Sequence, residues 1–241
     1  RLMSRSSAHY APPCDLPRTP DVHPAVRELV PSPVVVAGDG VDLLRANQRP
    51  KTTHVIVWDT ETTGREYDAR IVEIAAARVR LADGLVESMW SQLVNPGVAI
   101  PREATAVHHI TDAMVRAMPS AAEVLPTFLG ACVRRGLVLV AHNAVFDLAR
   151  VRFDAQRCDV VLPGTVPVHC SLEASRKLHK TVGHGLGVVA QRYGVKAAEG
   201  QAAHRAEGDV RTLAAVLPHL LKRPDAASRD FRECFPLKAM L

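Results

Sequence analysis

The chain has 241 residues, enough for one sizeable domain with tails, and its 47% apolar content is ordinary for a globular protein. A formal charge of +5 favours a polyanionic partner only weakly. No apolar run approaches the roughly 20 residues that span a bilayer, and the first residues lack a signal-peptide pattern, so no membrane partner is expected. The five cysteines are scattered without CxxC spacing. Neither a zinc knuckle nor a disulfide framework is indicated, and a reduced, cytoplasmic protein is the expectation.

Residues 1–50 are rich in proline (Pro12, Pro13, Pro17, Pro20, Pro24, Pro31 and Pro33) and read as a flexible leader. A domain over 51–224 follows, and 225–241 reads as a short C-terminal tail. Val55 to Trp58 is a β-branched apolar run, the pattern of a strand buried on both faces. It runs directly into two carboxylates, Asp59 and Glu61, and then the polar turn Thr62-Thr63-Gly64. Residues i and i+2 of a strand point the same way, which sets these acids about 6–7 Å apart on one side. Like charges at the end of a core strand need a cation or a proton. Carboxylates are hard ligands suited to magnesium or manganese, while a plain strand-to-turn transition is the competing reading.

Arg70 to Arg80 and Leu85 to Val94 form a second and third strand around the turn Ala82-Asp83-Gly84, which predicts an antiparallel meander. Helical turns are expected over 103–107 and 112–117. A longer helix should start at Ser120, with Glu123 completing a capping box, and Thr111 and Asn143 are further N-cap candidates. Leu137 to Ala141 is a second fully apolar strand, followed by a helix containing Phe146 and Asp147. Strand, turn and helix make a βα unit, and ligands in such folds gather beyond the carboxyl ends of strands.

Val166 to Cys170 is a further strand. Helices are expected over Ser171 to Leu178, ending in the basic Arg176, Lys177 and Lys180, and over Gly185 to Tyr193, with Gly194 as a C′ glycine. The last helix carries Leu213, Val216, Leu217 and Leu220 as its apolar stripe. Asp209 lies one turn before Leu213 and shares that side. His204, five residues earlier, belongs on the loop entering the helix, because on a continuous helix it would sit about 140° away from Asp209.

Four acids and one histidine thus stand out: Asp59, Glu61, Asp147, His204 and Asp209. Their order and local context resemble the DEDDh 3′–5′ exonucleases, the superfamily that includes the proofreading subunit of bacterial replicative polymerases, RNase T and oligoribonuclease. The motifs that carry the resemblance are Asp59-Thr60-Glu61-Thr62-Thr63-Gly64, His142-Asn143-Ala144-Val145-Phe146-Asp147 and His204-Arg205-Ala206-Glu207-Gly208-Asp209. The likeness spans about residues 53–222. It departs at His109, where relatives usually have glycine, and at Val168-His169-Cys170, where many carry an aspartate.

The resemblance implies an α/β, RNase H-like fold: a central mixed sheet, antiparallel meander plus parallel strands, flanked by helices. It also implies two Mg²⁺ or Mn²⁺ ions bound by Asp59, Glu61 and Asp209, with Asp147 in support directly or through water. His204 would be the general base, and Thr62 and His108 would touch the terminal nucleotide. The implied activity is release of nucleoside 5′-monophosphates from the 3′ end of DNA or RNA, single-stranded or frayed, in proofreading with a DNA polymerase or in repair. An RNA exonuclease of the RNase T kind and a non-catalytic scaffold for nucleic acid or a polymerase are the alternatives.

Overall fold

The computed structural model describes residues 52–132, 138–164, 166–180, 183–196, 204–221 and 237–241. The proline-rich leader lies outside them. Six strands form one sheet in the order β3-β2-β1-β4-β5-β6. The meander is β1 (His54–Thr62), β2 (Ile71–Arg80) and β3 (Val86–Leu93), all antiparallel. β4 (Leu139–Ala141) and β5 (Pro167–Cys170) continue the sheet parallel to β1. The mixed sheet expected from sequence is therefore present.

The stretch 225–241, read from sequence as a tail, is corrected at its end. Leu237–Met240 forms β6, which pairs antiparallel with β5 and covers what would otherwise be an open edge. Four residues following a polar stretch carry little periodic signal, so the pairing was not legible in the chain itself.

Alternation along β1 divides the molecule. Ile56 and Trp58 face one layer, where Trp58 meets Phe128 at 5.5 Å between ring centroids. That layer contains α3 (Ala121–Cys132) and α4 (Ala144–Arg157). Val55 and Val57 face the other, packing with Val210, Leu213 and Leu217 of α7 (Ala206–Leu221). α5 (Ser171–Leu178) and α6 (Leu186–Arg192) lie between β5 and α7 in the chain, and α1 (Arg102–His108) and α2 (Asp112–Val115) follow the meander. The hairpin between β2 and β3 rests on α7. Gly84 has φ +75°, and a Cβ there would stand 2.5 Å from the Ala214 carbonyl oxygen, so only glycine fits.

The helix ends differ from expectation in one respect. Glu123 accepts the Ser120 backbone N–H at 2.7 Å, as a capping box requires. Thr111 and Asn143 precede α2 and α4 as expected, but neither side chain bonds to its helix. Asn143 is instead left-handed, φ 66°, a conformation asparagine tolerates better than most residues. It turns the chain sharply from β4 into α4. The carboxyl ends of the parallel pair β1 and β4 thus open at the same edge, where the strand order reverses.

Candidate active site

Asp59 and Glu61 are odd-numbered like Val55 and Val57, so they project toward α7. Asp209, in the first turn of α7, comes down to meet them. One oxygen from each of Asp59, Glu61 and Asp209 can be chosen so that all three lie within 4.8 Å of one another. Three carboxylates at this spacing make a hard-oxygen donor set, which fits Mg²⁺ or Mn²⁺. The register with β2 then shifts between Glu61 and Thr62.

Asp147 reaches the same edge from the opposite layer. Its Oδ1 accepts the Thr60 backbone N–H at 3.0 Å and the Thr60 hydroxyl at 2.7 Å. The structure therefore brings three of the four acids into one ligand group and fixes the fourth beside it. Thr60, even-numbered and buried, was not singled out from the sequence, although its place between the two acids of β1 makes it the natural contact from α4.

The electrostatics follow from the geometry. Burial, then the charges of Asp147, Glu61, Asp209 and Glu73, hold the Asp59 carboxyl well above the usual range. Burial, then Asp209, Glu73 and Asp147, push Glu61 up to about 8. Burial raises Asp147 against the pull of its Thr60 bonds, and burial raises Asp209 against the pull of His204. Burial of several acids side by side marks a site that a bound divalent cation would relieve.

His204 sits where the spacing placed it, on the turn entering α7, exposed and left-handed at φ 62°. Thr62 and His108 line a cleft of about 560 Å³ beside Glu61, together with Gly64, Val107 and Phe146. Both are engaged by backbone. The Thr62 hydroxyl donates to the Gly64 carbonyl at 2.7 Å. His108 Nδ1 accepts the Ile110 N–H at 3.0 Å, so its proton is on Nε2 and faces the Thr62 carbonyl at 3.2 Å. His108 is thus a buried wall of the cleft rather than a free side chain. His109, the departure from glycine, is left-handed at φ 61° and ends α1 through its N–H to the Thr105 carbonyl. Glycine is favoured at such a position for its backbone freedom.

Two further side chains were missed. Glu73 is a lone acid in the otherwise apolar start of β2 and is buried. A charge in such a strand should have prompted a search for its partner. Arg150, three residues after Asp147 on the buried side of α4, donates through Nη1 to the Glu66 and Tyr67 carbonyls and lies 5.0 Å from the Phe146 ring centroid. It ties the loop after β1 to the helix bearing Asp147. Arg150→Met keeps the stem but removes these bonds. It should cost about 1.5–3 kcal/mol in stability and raise KM more than it lowers kcat. Denaturant melts and steady-state kinetics check this; an unchanged KM contradicts a role in shaping the cleft.

Comparison with known proteins agrees with this geometry. The profile of a family described as exonuclease, RNase T type, matches residues 56–217. A DNA polymerase III subunit epsilon-like protein of Rhodobacter capsulatus is 38% identical over 217 residues, 84% of this chain but 29% of its own length. A PolC-type DNA polymerase III of Staphylococcus saprophyticus is 32% identical, over 73% of this chain and 12% of its own. The chain thus spans under a third of these curated relatives. Among solved structures, exonuclease X in complex with 5′-overhanging duplex DNA is 28% identical with a TM-score of 0.57, covering 75% of this chain and 98% of that one. The nuclease domain of 3′hExo, a DEDDh family member bound to rAMP, shares the fold at 14% identity and a TM-score of 0.64, covering 78% of this chain and 98% of that one.

Proposed function

Because the chain belongs to this exonuclease family, we propose that it removes nucleoside 5′-monophosphates one at a time from the 3′ end of a DNA strand. The observation that carries the reading is the convergence of Asp59, Glu61 and Asp209 within 4.8 Å, with His204 on the turn that leads to Asp209. These three acids, with Asp147 in support, would hold two Mg²⁺ or Mn²⁺ ions. Bound there, the ions would supply the charge that activates a water and stabilises the departing 3′ oxygen. His204 takes the proton from that water, since an imidazole can accept a proton near neutral pH. Thr62, His108 and the cleft beside Glu61 receive the terminal nucleotide.

DNA is preferred as substrate over RNA because the polymerase relatives and the DNA-bound neighbour point that way. By the same likeness a DNA polymerase is the proposed partner, with a role in proofreading. Residues 51–224 form the catalytic domain, completed at the sheet edge by β6, and residues 1–50 are left as a leader. No helix among the described residues is long and apolar enough to cross a membrane; a cytoplasmic location is part of the proposal.

The test is product analysis on matched single-stranded DNA, RNA and mispaired-duplex substrates, with Mg²⁺, with Mn²⁺ and with EDTA. Mononucleotides should appear with either ion, faster from DNA and from the mispaired end. Equal activity in EDTA overturns the reading, and a faster RNA reaction would replace the substrate.

A further inference from the structure

Glu73 does more than occupy the core. It pairs directly with Glu61 across β1 and β2, so its side chain points to the same side of the sheet, toward α7. Its carboxylate takes a two-pronged contact from Arg205, Nε at 2.9 Å and Nη2 at 2.6 Å. It also accepts the Ala206 backbone N–H at 3.0 Å, and the Ser91 hydroxyl lies 3.5 Å away. Ala206 is the first residue of α7, so its N–H is one of the donors that a helix leaves unpaired. Glu73 therefore caps α7 from another strand and grips the two residues that follow His204.

His204 itself is left-handed, which a side-chain-bearing residue adopts at a cost. Strained conformations persist where their surroundings over-determine them. Here the turn is held on its carboxyl side by the Glu73 contacts, and the first turn of α7 closes with the Asp209 N–H on the Arg205 carbonyl at 3.0 Å. One buried carboxylate thus holds the turn that carries the imidazole. Glu73 is not available as a further ion ligand, because its oxygens are taken by Arg205 and Ala206 and it stands outside the group formed by Asp59, Glu61 and Asp209.

Resting on the exonuclease reading, we propose that Glu73 is a positioning residue that acts through Arg205 and Ala206 to hold His204 where it takes the proton from the attacking water. A displacement of the base by about 1 Å can cost up to roughly 100-fold in rate. Glu73→Gln keeps the size but loses the charge that the Arg205 guanidinium pairs with. It should lower kcat on a single-stranded DNA oligonucleotide by about 10- to 100-fold, with KM and Mn²⁺ affinity within about twofold of the parent.

The deciding comparison is made in a His204→Ala background. If Glu73 works through the imidazole, Glu73→Gln there should cost less than about twofold, because two residues on one path are not additive. A structural role alone would slow both backgrounds by the same factor and would overturn the proposal, as would a Glu73→Gln enzyme as fast as the parent. Arg205→Lys, which keeps the charge and loses the fork, gives a second series should Glu73→Gln fail to fold. Hydrogen exchange at the Ala206 amide separates this idea from the exonuclease reading. If the parent releases no nucleotides, that reading fails. Faster exchange in Glu73→Gln would then still support the grip on the turn, whereas unchanged exchange would end it.

Discussion

Asp59→Asn is expected to abolish nucleotide release and, in the absence of divalent ions, to make the protein more stable. The first effect follows from removing one of three carboxylates that share a ligand group. Ion-assisted charge stabilisation is worth several kcal/mol, so the loss should be about a thousandfold or more. The second follows from the cost of burying these acids together without an ion. Asp59 and Glu61 both have raised pKa values in the folded protein, Glu61 to about 8 from 4.5, through burial first and neighbouring acids second.

Between about pH 4.5 and 8 the folded, ion-free protein therefore holds protons that the unfolded chain has already released. Its stability must fall as pH rises through that window. The amide carries no proton to lose and no charge to repel, so the variant should show a shallower fall and a higher melting temperature at pH 8 in EDTA. Added Mn²⁺ should reverse the order: the parent gains stability and releases protons on binding, and the variant gains little. Thermal melts at pH 5, 6.5 and 8, with EDTA and with Mn²⁺, check this. An Asp59→Asn protein less stable than the parent in EDTA at pH 8 would mean that burial and the neighbouring acids do not disfavour the Asp59 charge as the geometry requires.

This trade between the ion-free and ion-bound protein also explains what was legible in the chain. The pattern Val55 to Glu61 announces itself because the alternation that buries Val55 and Val57 must carry Asp59 and Glu61 to the same side. The stripe of Leu213 and Leu217 likewise orients α7, and with it Asp209. His204 was placed correctly by helix geometry, since five residues do not share a face. Local periodicity was enough for each of these.

What stayed hidden depends on contacts between elements distant in the chain. Glu73 and Arg205 are 132 positions apart, and Arg150 meets the Glu66 carbonyl across 84. No periodicity records such a pairing; only the oddity of a charge within an apolar segment hints at one. β6 was missed for the same reason, because its partner β5 lies about 70 positions upstream. Asn143 was expected to cap α4 by its side chain, and instead it serves by its left-handed backbone, a second use of the same residue type that composition does not separate. His108 is a further contact that periodicity does not record. The resemblance gave it to the substrate, and the structure adds that both its ring nitrogens meet backbone groups, which fixes it as a wall of the cleft.

His204 offers the other large effect, and it separates stability from activity at a single position. Its imidazole is exposed, so it contributes little to packing, while its backbone is held at φ 62°. Alanine removes the base and keeps the unfavourable backbone conformation; glycine removes the base and relieves it. Both variants should lose about 10²- to 10⁴-fold in kcat, the usual contribution of a positioned general base. Both should still bind Mn²⁺, because the group formed by Asp59, Glu61 and Asp209 remains. His204→Gly should nevertheless exceed His204→Ala in stability by about 1 kcal/mol, and should equal or exceed the parent. A residue kept where glycine would be more stable is kept for its side chain. Single-turnover rates, Mn²⁺ titrations and urea melts on the three proteins check the argument together. A glycine variant as fast as the parent would remove His204 from the chemistry, and one less stable than the alanine variant would show that the left-handed turn carries no strain.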